Sequence, residues 1–188
     1  MQLNIYILSH PIIKLLSNSI NININQKQKN SYLYRYVGTF LIYEITRGYL
    51  HTKPIYIKQI LHIKQMSLLD KNTNYYIITD LIQTFNLIGD IKIILPSIKI
   101  LNINNKKQEN FQNTLKELNN HQHINKHIII LEIILSEIWI IKLIKSLRDD
   151  YEIPIKNIHI TSLACYNQIL EQLGKEYPKV NIYTTKII

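Results

Sequence analysis

Thirteen carboxylates, seven histidines and a single cysteine are the side chains in these 188 residues best suited to acid–base, metal or nucleophilic chemistry. Few are spaced for it. His121 and His123, with His127 four residues further on, resemble a metal-binding cluster, but no carboxylate or thiol partner stands at suitable spacing, and the first two lie in a polar stretch. No metal site is expected. Glu44 and Arg47, three residues apart near a helix end, suit a local ion pair better than catalysis. Cys165 follows an apolar run, with nothing nearby to activate a thiolate. A lone cysteine also excludes an internal disulfide and fits a reducing compartment.

Ligands of open parallel α/β sheets sit where strands run into helices, at the strands' carboxyl ends. One such turn follows the apolar run His127 to Leu131 and reads Glu132-Ile133-Ile134-Leu135-Ser136-Glu137-Ile138-Trp139. A loop that cradles phosphate needs glycines, so that backbone N–H groups can converge on anionic oxygens. This one has none.

The elements that would position these groups follow from periodicity. Tyr32 to Thr46 carries apolar residues at three- and four-residue steps, which predicts a helix stopped near Gly48. The first third therefore reads as helical, with Asn18 to Asn30 as a polar loop. Ile55 to Lys64 alternates and predicts one or two short strands. Asn74 to Ile88 has helical spacing, Gly89-Asp90 is a turn, and Ile91 to Leu95 reads as a short strand ended by Pro96. Asn102 to Lys126 is a polar excursion. His127 to Leu131 suits a parallel strand buried on both faces. A helix over Ser136 to Leu147, a strand over Ile158 to Ala164, a helix over Asn167 to Leu173 closed by Gly174, and a strand over Val180 to Thr184 follow. This order predicts one α/β domain over residues 1–188, with a helical part at 1–54 and a parallel-rich, helix-flanked core at 55–188.

Composition sets further bounds. The chain holds 41 Ile and 20 Asn but one Ala, two Val, four Gly and three Arg. Ile, Asn, Lys and Tyr have A+T-rich codons, so the bias points to an A+T-rich genome, typical of organelles or reduced symbionts. The net charge of +9 comes from 19 Lys and 3 Arg spread along the chain. Codon drift accounts for that dispersal, and neither zinc-finger spacing nor an aromatic RNA-binding signature supports nucleic-acid binding. The apolar stretch Ile128 to Ile144 is broken by Glu132, Glu137 and Lys142, each costing about 2.5–3.5 kcal/mol at a bilayer centre, so no membrane span is expected. The N-terminus has neither signal-peptide nor transit-peptide character, which predicts synthesis inside the organelle.

Several phrases resemble the uracil phosphoribosyltransferase family. Ser9-His10-Pro11-Ile12-Ile13-Lys14 is similar to the family's opening H-P-L-I, Leu41-Ile42-Tyr43-Glu44-Ile45-Thr46-Arg47 to L-x-Y-E-A-T-R, and Tyr177-Pro178-Lys179-Val180-Asn181-Ile182-Tyr183-Thr184 to P-x-V-x-I-Y-T. Ile94-Leu95-Pro96-Ser97 falls where the family has I-L-R-A-G. The resemblance implies a type I phosphoribosyltransferase-like fold. It also implies an ancestral reaction joining uracil to phosphoribosyl pyrophosphate to give uridine monophosphate and pyrophosphate, with Mg²⁺ expected only if that activity survives.

Under this alignment the family's glycine-containing phosphoribosyl pyrophosphate loop leaves only a remnant at Glu132, Ser136 and Glu137. Ile138 and Trp139 replace its paired glycines, and Pro96 stands where an arginine is expected. The family's Y-R-D-P segment is missing from Asn102 to Lys126. No counterpart of its uracil-reading segment follows Ile188. The resemblance thus implies a plastid-encoded homolog of the stroma that keeps the scaffold and lacks catalytic residues, with small-molecule binding doubtful and a homodimer the default assembly. The alternatives are a residual enzyme completed by a partner chain, a noncatalytic scaffold or nucleotide- or nucleic-acid-binding protein, and a reading frame drifting without constraint.

Overall fold

The structure, a computed structural model, describes residues 3–20, 31–70, 73–103, 114–120, 125–136 and 138–188. Its centre is a run of strands too apolar to face water. In β6 (Asn125–Leu135), Ile128, Ile129, Ile130 and Leu131 are all fully buried, so side chains on both faces of the strand need cover. β7 (Ile158–Cys165) is buried at every position, and β4 (Thr73–Thr79) over its last five. Parallel pairing puts these strands side by side with helices on both faces, and each buried Ile contributes about 1.5–3 kcal/mol against leaving it in water.

The completed sheet has six strands in the order β1-β8-β7-β6-β4-β5, all parallel, with β1 (Asn4–Ile7) and β5 (Lys99–Asn102) at its edges and β8 (Asn181–Ile187) between β1 and β7. One face packs Ile128, Ile130, Ile158, Ile160 and Ile182 beneath α5 (Trp139–Asp149) and α6 (Asn167–Glu176). The other packs Ile77, Ile129, Leu131 and Leu163 beneath α1 (Pro11–Ser19), α2 (Ser31–Thr46), α3 (Leu81–Ile88) and the single turn α4 (Ile91–Ile94). The α/β class and the parallel sheet agree with expectation.

Four local expectations are corrected. Asn4–Ile7 is a strand paired with β8, so the N-terminal part is not helical throughout. Tyr75 to Thr79 belongs to β4, because a run of aromatic and β-branched residues buried on both faces serves as a central strand even when its spacing also fits a helix. Ile91–Ile94 is helical, and the strand lies beyond Pro96 at Lys99–Asn102. Helix α6 passes through Gly174 and ends at Glu176, with Tyr177 as its cap and Pro178 beyond. Of the polar excursion, only residues 102–103, 114–120 and 125–126 are described. His121, His123 and residues 21–30 of the polar loop lie outside the described residues.

Between α2 and β4 the chain makes an antiparallel hairpin of β2 (Thr52–Lys58) and β3 (Ile63–Leu69). Every residue of β2 is exposed, as are the first six of β3.

Helices α2 and α3 cross at Gly38. A Cβ there would stand 1.9 Å from the Leu87 carbonyl oxygen and 2.7 Å from its carbon, so only a residue without a side chain fits. Gly38→Ala is expected to cost about 3 kcal/mol through forced separation of the two helices. Gly174→Ala, whose Cβ would meet only Leu3 Cβ at 3.7 Å, is expected to be neutral or stabilising by about 0.5–1 kcal/mol. Urea unfolding of both variants followed by far-UV circular dichroism measures the difference.

Candidate functional site

In a parallel sheet the backbone itself prepares the site. Each strand-to-helix turn at the carboxyl edge presents the first N–H groups of a helix, which have no partner within the helix and attract anions. Three such turns flank the centre of this edge. What each does with its donors determines what the edge can bind.

At the turn leaving β4, Asp80 is the N-cap of α3 and its carboxylate accepts from the Ile82 N–H at 3.0 Å. The side-chain carbonyl of Asn102, at the end of β5, accepts from the Leu81 N–H at 3.0 Å. The Thr84 N–H and hydroxyl both donate to the Asp80 carbonyl, at 2.9 and 2.8 Å. Thr79 completes the cluster, its hydroxyl donating to the Leu131 carbonyl at 2.6 Å and lying 2.7 Å from the Thr84 oxygen. The helix start is filled by the protein's own acceptors, one of them negatively charged, where a phosphate would need open donors.

The turn leaving β6 begins later than expected. The strand continues through Leu135, so Glu132 is not a loop residue: it lies inside β6 opposite Ser162 of β7 and is 2 % exposed. Ser136 is exposed at the strand's end, and Glu137 lies outside the described residues. Ile138 caps α5 without a side-chain hydrogen bond and is 56 % exposed, while Trp139 is buried in the core with Leu135, Ile140 and Leu143. Glu132 is enclosed within the strand and Ser136 is exposed at its end, so the structure does not gather the two into one site.

At the turn leaving β7, the Tyr166 N–H donates to the Leu135 carbonyl at 3.0 Å, and the Asn167 N–H at the start of α6 donates to the Ile188 carbonyl at 3.1 Å. The Ile188 N–H returns to the Cys165 carbonyl at 2.8 Å. The ends of β6, β7 and β8 are thus laced together by backbone bonds. Cys165 is buried, and burial pushes its thiol pKa upward, against thiolate chemistry.

Among the described residues no group of three or more His, Cys, Asp or Glu side chains could hold a metal ion. At the carboxyl edge the Asp80 carboxylate is engaged as a helix cap.

Other sequence-derived positions fall elsewhere. Ile94 to Ser97 precedes β5 at the sheet's amino edge, so Pro96 does not stand at a strand's carboxyl end, and the turn that matters there is Thr79 to Leu81. His10 and Pro11 start α1, the imidazole Nδ1 accepting from the Ile12 N–H at 3.2 Å. Glu44 and Arg47 form the expected local pair at 3.8 Å. A cavity of about 550 Å³ also lies at the amino side, between α2, α4 and the base of the hairpin, lined by Phe40, Ile42, Tyr43, Leu50, Leu69 and Leu95 among others. The sequence hides Asp80 because Asn74 to Ile88 reads as one helix; the signal that marks it is an Asp placed between a β-branched run and an apolar helical period.

The sequence pattern of the family described as uracil phosphoribosyltransferase matches residues 7–187 of this chain. A protein called uracil phosphoribosyltransferase homolog from Porphyra purpurea is 28% identical over 191 residues, covering 100% of this chain and 89% of that protein. Another of the same description from Pyropia yezoensis is 30% identical over 191 residues with the same coverage. Among solved structures, the AQ2163 protein from Aquifex aeolicus has a TM-score of 0.74 at 16% identity, over 97% of this chain and 86% of that one.

Asp80→Ala is expected to destabilise the fold by about 1 kcal/mol through loss of the cap, and Asp80→Asn to be nearly neutral because the amide oxygen can replace the acceptor. Thermal unfolding at neutral pH checks both. Equal losses in the two variants would show that the charge, and not the acceptor oxygen, holds α3.

Proposed function

The chain belongs to the uracil phosphoribosyltransferase family, and from that premise we propose that it is a noncatalytic member: a homodimeric scaffold of the plastid stroma that keeps the type I phosphoribosyltransferase-like fold without its chemistry. The family transfers a phosphoribosyl group, a reaction whose catalysis rests on positioning and on donors aimed at developing charge.

One observation carries the reading. The backbone donors at the start of α3 are occupied by Asp80 and Asn102. A pyrophosphate arriving there would have to displace a carboxylate that already holds the helix dipole's positive end. The bulk of Trp139 beneath the next turn points the same way. The plastid assignment is supported by the A+T-rich codon composition.

The homodimer is supported by the β2–β3 hairpin. A two-stranded hairpin is marginal alone in water. This one carries Ile55, Ile57, Met66 and Leu68 on one face, between 39 and 43 % exposed, and Ile60 and Leu61 at its tip, more than 90 % exposed. Apolar side chains in this density call for cover, and a second copy supplies the same surface in self-complementary form.

Isothermal titration with phosphoribosyl pyrophosphate and Mg²⁺ is expected to give no binding heat up to millimolar ligand. Micromolar affinity would overturn the noncatalytic reading. Light scattering after size exclusion is expected to give twice the chain mass, and the double variant Ile60→Lys, Leu61→Lys to give the single chain mass with an unchanged circular dichroism spectrum. A wild-type protein that is monomeric at 50 μM would refute the assembly.

A further inference from the structure

On the face of the sheet covered by α1 to α4, two imidazoles lie side by side near the amino edge, His159 buried and His127 half-buried. His127 stands in β6 and His159 in β7, ring centroids 5.9 Å apart and planes within 13°. Tyr49 lies flat across both, its ring 4.4 Å from each. Tyr75 of β4 stacks on Tyr49 at 5.9 Å and on His127 at 5.8 Å, and Tyr183 of β8 flanks His159 at 6.3 Å. His159 is 4 % exposed, and among the described residues neither of its ring nitrogens, nor Nδ1 of His127, nor the Tyr49 hydroxyl has a hydrogen-bond partner. Such atoms are normally satisfied when buried.

Tyr49 is also the last buried residue before the hairpin. Its N–H donates to the Thr46 carbonyl at 3.2 Å at the end of α2, and His51, two residues on, accepts from Asp70 at 3.2 Å across the hairpin's base. Lys53 and Asp70 pair beside it at 2.9 Å. The stack therefore fastens the root of an otherwise exposed element to the sheet.

We propose that Tyr49, seated on His127 and His159, is a proton-released clasp: acidification charges the imidazoles, expels the tyrosine ring and frees the β2–β3 hairpin while the sheet and its other helices stay closed. The ionisable groups around the pair do not favour imidazolium. From β4 and β8 come the neutral phenols of Tyr75 and Tyr183. From the base of the hairpin comes His51, and from the turn before β7 comes Lys156, both opposing charge on His127. Of the carboxylates, Asp70 acts on Tyr75 and Glu44 on Tyr183.

The direction of the proton linkage follows. Burial first, then the neighbouring His127, hold the His159 pKa down to about 4, against an ordinary 6.5. The opened state therefore binds more protons between these two values, so the clasp is fully closed above pH 6.5 and weakens as pH falls toward 4. Single-site linkage shifts the opening equilibrium by up to roughly two orders of magnitude over that span.

Hydrogen exchange of the full chain from pH 7.5 to 4.5, corrected for intrinsic rates, tests this. Amides of residues 49–70 are expected to lose at least tenfold protection between pH 6.5 and 4.5, with α5 and α6 unchanged. His159→Phe keeps a ring and cannot titrate, and should retain protection in acid. His159→Gln serves the same purpose if the phenylalanine variant does not fold at pH 7.5. Hairpin protection constant to pH 4.5 in the wild type, loss in step with α5 and α6, or the same acid loss in the folded variant would each overturn the clasp.

Discussion

Burial of β4, β6 and β7 on both faces is the constraint from which the rest of the molecule follows. A strand such as Ile128 to Leu131 has no polar face to turn outward, so it must lie inside a sheet with helices above and below. That requirement forces parallel pairing, parallel pairing forces crossover helices, and crossover helices bring their N-termini to the carboxyl edge. The location of any ligand site is decided before a single chemical side chain is chosen.

What the site then contains is decided by small residues and charges, and here composition acts on function. Packing tolerates exchange among aliphatic side chains when volume and pattern are kept, so a core rich in Ile serves as well as a mixed one. An anion site tolerates no such exchange. It needs close backbone approach and open donors, and this edge has Trp139 beneath one turn and Asp80 across another. A core and an anion site thus place opposite demands on the same composition.

The architecture was legible where a signal was local. Strands at Ile128 to Leu131 and Ile158 to Ala164, and the helices following them, show directly in runs and periods. The boundary at Thr79-Asp80 was not, because YYIIT followed by LIQTFNLI continues a helical period across a real break, and burial on both faces, a tertiary property, overrides it. The same override displaces Pro96: with Tyr75 to Thr79 hidden in a helical period, Ile91 to Leu95 becomes the next apolar run that reads as a strand. The stack of Tyr49, His127 and His159 had no sequence signature at all, since its members come from different elements joined only by sheet register.

Gly38 bears on more than the geometry of one crossing. The chain holds only four glycines. One of them sits where any side chain would strike the backbone of Leu87. A side chain added there acts on whether the protein folds, independently of whether it catalyses anything. The crossing of α2 and α3 therefore makes Gly38 a requirement of the folded molecule, separate from any requirement of its chemistry.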